Sequence, residues 1–172
     1  MALHTGKNIY ITGFMATGKS TVGRLLAKKL QRKFIDTDRH IEYLEQASIK
    51  DIFSKHGEDY FRKKEATCIL ETCQHTNLVV SLGGGAVLSE QNRLVFQKGV
   101  WIYLDTPMDT IQERLNRTSH RPLAQKNPEL IQNLFAQRQH LYQMANLIID
   151  CAHKNSDEIC QALLKRMMHE SA

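Results

Sequence analysis

Asn8-Ile9-Tyr10-Ile11-Thr12-Gly13-Phe14-Met15-Ala16-Thr17-Gly18-Lys19-Ser20 changes pattern twice within thirteen residues. The first five form a short β-prone run, and the next eight match G-x-x-x-x-G-K-[ST] in full. From Lys19 onward the apolar positions Val22, Leu25, Leu26 and Leu30 recur at helical spacing. Strand, Gly-rich turn and helix is the context in which this motif surrounds a phosphate chain, because glycine permits unusual backbone angles and lets successive N–H groups approach the oxygens closely. Lys19 supplies a point charge for the β and γ phosphates, and the Ser20 hydroxyl suits Mg²⁺, a hard cation that favours oxygen. The loop alone leaves open a nucleotide binder or switch with no small-molecule acceptor.

Outward from that stretch, strands and helices alternate. Phe34-Ile35 reads as a second strand, followed by helical segments through Ile41 and Leu44 and from Ser48, an N-cap, to Gly57, a stop. A further helix is expected from Asp59 to about Cys73. Leu78 to Leu82 and Val100 to Leu104 are continuous apolar runs, as in buried parallel strands, and between them Ser89 to Lys98 fits a helix closed by Gly99. Leu147-Ile148-Ile149 precedes a last helix around Ile159 to Met167. Alternation of this kind requires crossover connections, so the expectation is one α/β domain over residues 1–172, a sandwich of about five parallel strands with helices on both faces. Asn116 to Asn127, polar, basic and carrying Pro122, reads as a mobile lid between two helices.

The bulk properties narrow the function classes. No apolar run approaches the roughly 20 residues of a bilayer span, and residues 1–8 lack the apolar stretch of a signal peptide, so a cytoplasmic protein without membrane contact is expected. Cys68, Cys73, Cys151 and Cys160 form no C-x-x-C pair and read as reduced thiols. The net charge of +5 suits any anionic ligand. Lys28, Lys29, Arg32 and Lys33 have no interleaved aromatic and read as a solvated helix face, which argues against a nucleic-acid partner.

Four features supply an acceptor side. Asp36-Thr37-Asp38 follows the second strand, and residues two apart in extended chain project to one side, so both carboxylates are expected to face one site. Gly83-Gly84-Gly85 offers N–H groups without side-chain obstruction. Arg62 and Arg138 stand beside apolar neighbours on helices and are expected to point inward, although an isolated arginine is more often a surface residue. Arg117 and Arg121 lie in the polar excursion, where a mobile arginine closing over the γ-phosphate can stabilise the charge that develops in phosphoryl transfer.

Taken in order along the chain, Gly13 to Thr21, Asp36-Thr37-Asp38, Gly57-Glu58 with Phe61-Arg62 and Glu65, Ser81-Leu82-Gly83-Gly84-Gly85, Arg121-Pro122-Leu123, and Arg138 with Leu141-Tyr142 resemble the shikimate kinase family. The resemblance implies transfer of the ATP γ-phosphoryl group to the 3-hydroxyl of shikimate with Mg²⁺ present, by a monomer of the P-loop, nucleoside-monophosphate-kinase-like fold. It also implies a sheet ordered 2-3-1-4-5 and a lid at about 116–127. By the same resemblance Ala16, Thr17, Gly18, Lys19, Ser20 and Thr21 hold the nucleotide phosphates, while Arg117, Asn155 and Ser156 occupy adenine-contacting positions. Arg62, Arg138 and Gly83 to Gly85 hold shikimate, Asp38 binds its hydroxyls and accepts the proton, Asp36 and Ser20 serve the metal, and Arg121 is the lid arginine. The chain departs from the family pattern at Ala16 and Ala47, where glycine is common, at Ala124, and at His140, where proline often precedes Leu-Tyr. A P-loop kinase for another small polyol acid such as gluconate shares the loop and the lid arginine.

Overall fold

The computed structural model describes residues 6–117 and 127–169. Five strands form one parallel sheet: β1 (Ile9–Thr12), β2 (Lys33–Asp36), β3 (Leu78–Ser81), β4 (Val100–Asp105) and β5 (Leu147–Asp150), in the order β2-β3-β1-β4-β5. Among the described residues seven α-helices connect and cover them: α1 (Lys19–Leu30), α2 (Thr37–Glu45), α3 (Ile49–Glu71), α4 (Glu90–Lys98), α5 (Met108–Arg117), α6 (Pro128–Tyr142) and α7 (Ser156–His169). The expected α/β sandwich and its strand order are therefore those observed.

The pleat decides what each face buries. Ile9 and Ile11 of β1 pack with Val79, Ile102, Leu104 and Ile149 beneath α1 and α7, whose Val22, Leu26, Ile159 and Leu163 close that core. Tyr10 points the other way and joins Val80, Trp101, Tyr103, Phe96, Ile111 and Tyr142. Both faces are apolar, which is why the central strands read as continuous hydrophobic runs. A satellite core of Ile41, Ile52, Phe61 and Cys68 fastens α2 to α3.

Punctuation residues act as expected. Ser48 caps α3 by accepting from the Asp51 N–H, and Gly57, at φ 81° and ψ 173°, breaks α3 into two helical segments across a kink, where a stop was expected. Gly99 is the C-cap of α4, in extended conformation; a Cβ there would lie 2.3 Å from the Asn8 carbonyl oxygen, so close approach to β1 demands the glycine. Apart from Asn116 and Arg117, which end α5, and Asn127, which caps α6, the excursion expected as a lid lies outside the described residues, Arg121 included.

In a parallel sheet all strands end on one edge. Gly13 follows β1, Asp36 closes β2 and Ser81 closes β3, so the three singled-out loops meet there.

Candidate active site

The phosphate loop is built to leave donors exposed. Gly18, at φ 90°, is the N-cap residue of α1 and brings no side-chain cap, and the first turn of α1 holds no acidic residue. By contrast α2, α3, α4 and α6 are capped by Asp36, Ser48, Ser89 and Asn127. The N–H groups at the start of α1 therefore form an anion site. Lys19 donates its Nζ to the carbonyls of Gly13 at 2.9 Å and Phe14 at 2.7 Å, arching the ammonium over the loop, and buried Thr17 donates to the same Phe14 carbonyl at 2.9 Å. Ala16 adopts φ 61°, a left-handed conformation that disfavours a side chain. Thr21 is exposed in the first turn of α1.

Arg114 of α5, which motif reading passed over, donates to the Ala16 carbonyl at 3.1 Å. Arg117, singled out instead, pairs with Glu113 and is 76% exposed. The signal was present: Arg114 stands three residues after buried Ile111, one turn along the same side of α5. Asn155 also has a task that motif reading did not anticipate. Its Oδ1 accepts from the N–H groups of Asp157 and Glu158 at the start of α7, where Ser156 begins the helix, and Lys154 pairs with Asp150.

Asp36 and Asp38 do not share an extended segment, because β2 ends at Asp36 and Asp38 already belongs to the first turn of α2. The two carboxylates consequently serve different corners. Asp36 accepts from the Ser20 hydroxyl at 2.5 Å through Oδ2 and from the Arg39 N–H at 3.2 Å through Oδ1. Asp38 reaches the glycine turn beside Glu65: a Cβ on Gly83 would lie 2.6 Å from Asp38 Oδ1 and 2.7 Å from Glu65 Oε1. Thr37, fully buried between them, donates to the Ser81 carbonyl and accepts from the Gly83 N–H at 3.2 Å, tying α2 to the turn. That bond occupies one of the three N–H groups expected to face a ligand.

Arg62 faces inward as expected. It bridges Glu65 at 2.8 Å and Glu58 at 3.1 Å, and Glu65 is 1% exposed. Burial raises the Glu65 carboxyl above its ordinary value, opposed by the Arg62 charge beside it and assisted by Asp38. For Arg62 burial acts against the cation, and the two carboxylates outweigh it, so its pKa is raised. Gly85 leaves room for this guanidinium, since a Cβ there would fall 2.3 Å from Nη2. Arg138 of α6 lies over the Phe14 ring at 5.9 Å, between the phosphate loop and the glycine turn, and Tyr142 donates to the Gly84 carbonyl. A Cβ on Gly84 would be only 3.5 Å from the Met15 nitrogen, so the turn adjoins the phosphate loop directly.

The geometry can hold a phosphate chain on one side and, about one side chain away, an acid with hydroxyls between carboxylates and arginines. The family model described as shikimate kinase matches residues 15–168. A shikimate kinase of Persephonella marina is 43% identical over 162 residues, covering 94% of this chain and 99% of that protein. One of a Sulfurihydrogenibium species is 41% identical over 162 residues, covering 94% and 98%. The solved shikimate kinase from Acinetobacter baumannii in complex with shikimate superposes with a TM-score of 0.91 at 37% identity, covering 98% of this chain and 96% of that one. Loop, glycine turn and sheet order thus coincide with the sequence kinship, and this chain belongs to the shikimate kinase family.

Proposed function

We propose that this chain transfers the γ-phosphoryl group of ATP to the 3-hydroxyl of shikimate, giving shikimate 3-phosphate and ADP on the route to aromatic amino acids. The observation that carries the reading is the glycine turn against the phosphate loop. At Gly83 and Gly85 no side chain fits, and the space is bordered by Asp38, Glu65 and Arg62. Family membership supports ATP as the co-substrate and a small molecule as the acceptor.

In this reading Arg62 and Arg138 hold the acceptor carboxylate, and Asp38 orients the hydroxyl and takes its proton as the oxygen attacks phosphorus. Lys19 and the α1 N-terminus neutralise the transferring group, with Arg114 bracing the loop at Ala16. Ser20 and Asp36 fit Mg²⁺, a hydroxyl and a carboxylate at 2.5 Å. Among the described residues no cluster of three or more His, Cys, Asp and Glu side chains converges, as suits an ion held mainly by phosphates and water. When bound, that ion supplies charge neutralisation at the phosphates. Arg121 acts as the lid arginine. The reading is completed by a single domain working as a cytoplasmic monomer without nucleic acid; among the described residues no helix is long and apolar enough to cross a membrane.

ADP release with ATP and Mg²⁺ on shikimate, gluconate, quinate and no acceptor, with the product checked by mass, tests the assignment. Turnover specific to shikimate supports it, and turnover on gluconate alone transfers the site to another polyol acid. Asp38→Asn should abolish turnover while ATP binding persists; a collapse of nucleotide affinity in that variant contradicts the role given to Asp38.

A further inference from the structure

Thr37 stands between the two carboxylates of the Asp36-Thr37-Asp38 segment, and the chemistry above gives it no part. Strand β2 pairs with β3 in a register that sets Asp36 opposite Ser81, and there it stops, because Thr37 already opens α2. The next rung would set Thr37 opposite Leu82. Leu82 gives its N–H to the Ile11 carbonyl of β1 at 3.1 Å. Successive peptide groups of an extended chain point to opposite edges, so the Ser81 carbonyl and the Gly83 N–H on either side of Leu82 face β2. In a parallel ladder one backbone residue answers both groups, giving its N–H to the first and its carbonyl to the second. Here a side chain does so. The Thr37 hydroxyl donates to the Ser81 carbonyl at 3.3 Å and accepts from the Gly83 N–H at 3.2 Å. Thr37 is fully buried and valine would fill nearly the same volume, so the two bonds are what the hydroxyl adds. Branching at Cβ restricts its rotamers and keeps the oxygen between its two partners.

We infer that Thr37 is a positioning residue for the acceptor: its hydroxyl continues the β2–β3 ladder for one rung after the backbone has turned into α2, and so holds the glycine turn against the Asp38 carboxylate. The inference rests on the acceptor reading above. A Cβ on Gly83 would lie 2.6 Å from Asp38 Oδ1, so a small displacement of either residue alters the space where the acceptor hydroxyls lie. Asp38 follows Thr37 directly in the first turn of α2, and without the hydroxyl that turn and Gly83 lose their mutual tie. The phosphate loop keeps its own bonds through Thr17 and Lys19, so the consequence falls on the acceptor and leaves the nucleotide unaffected.

The experiment compares Thr37→Val, which removes the hydroxyl at nearly constant volume, with Thr37→Ser, which keeps it. Kinetic constants for shikimate and ATP, calorimetric titration with shikimate alone and a thermal melt are measured for each protein. In Thr37→Val the KM and the calorimetric Kd for shikimate should both rise about tenfold, the scale of one hydrogen bond, with the ATP KM within about twofold and a cooperative melt retained. Thr37→Ser should return the shikimate constants to within about threefold of wild type. If Thr37→Val does not melt cooperatively, Thr37→Ala is judged by the same criteria. Unaltered shikimate constants without the hydroxyl, equal worsening of both substrates, melts lost in both Thr37→Val and Thr37→Ala, or a serine variant as impaired as the valine one makes Thr37 a support of the fold and overturns the inference. Wild-type protein inactive on shikimate overturns the acceptor reading and this inference together, whereas an active wild type with an unchanged Thr37→Val overturns only the role of Thr37.

Discussion

Gly85→Ala isolates one contact of the site. The added methyl carbon would stand 2.3 Å from Nη2, 2.5 Å from Nη1 and 2.6 Å from Cζ of Arg62. Ordinary carbon contacts begin near about 3.5 Å, so the guanidinium must retreat by roughly 1 Å. Arg62 is a flexible side chain and can move, but its bond to Glu65, now 2.8 Å, does not survive such a shift. Glu65 then remains 1% exposed beside Asp38 without its countercharge. Losing a charge-assisted hydrogen bond of this kind costs about 1.5–3 kcal/mol, or roughly 10- to 150-fold in an equilibrium. The assay is coupled ADP release with shikimate and ATP varied separately, alongside a thermal melt. The KM for shikimate should rise by at least about tenfold, the ATP KM should hold within about twofold, and Tm should fall by about 3–12 °C. In an Arg62→Ala background the three nearest obstructing atoms are gone and the methyl should add little penalty. Wild-type shikimate kinetics in Gly85→Ala, or penalties from the two substitutions that simply add, would refute the reasoning.

Ala16→Gly relieves a left-handed φ of 61° and should stabilise the protein by about 0.5–1 kcal/mol after the extra unfolded-state freedom of glycine is subtracted; a lower denaturation midpoint contradicts this. Arg114→Ala removes the bond to the Ala16 carbonyl and should weaken ATP binding about tenfold by calorimetry, while Arg117→Ala, which only frees Glu113 in solvent, should change it by less than about twofold. Burial lifts the Cys68 and Cys151 thiols from 9.0 to about 11. Folded values above unfolded ones mean this contribution is complete below pH 9 and lost as pH rises through 11. Stability measured by denaturant should therefore decline across that window by about 2–3 kcal/mol per thiol, and a flat profile sinks the assignment.

Much of this protein is written along the chain. The strand, Gly-rich loop and helix from Asn8 to Leu30, the apolar runs at Leu78 and Val100, and the caps at Ser48 and Ser89 are local patterns, and local backbone preference plus burial on both sheet faces is enough to make them what they are. The roles that depend on where a side chain points across the fold were not legible in the same way. Arg114 and Arg117 are one helical turn apart with the same chemistry, and it is their different places along α5 that set the first against the phosphate loop and the second beside Glu113. Asp36 and Asp38 looked like a pair in extended chain until the helix began between them and sent one to Ser20 and the other to Gly83. Thr37 and Tyr142 stand inside quoted motifs with no chemical role of their own assigned there, yet each bonds the glycine turn from 46 and 58 residues away. A sequence determines what lies beside a residue along the chain; which distant backbone that residue meets is decided by how helices settle on the sheet, because a rotation of one residue about a helix axis moves a side chain by roughly 100° and exchanges a ligand for solvent.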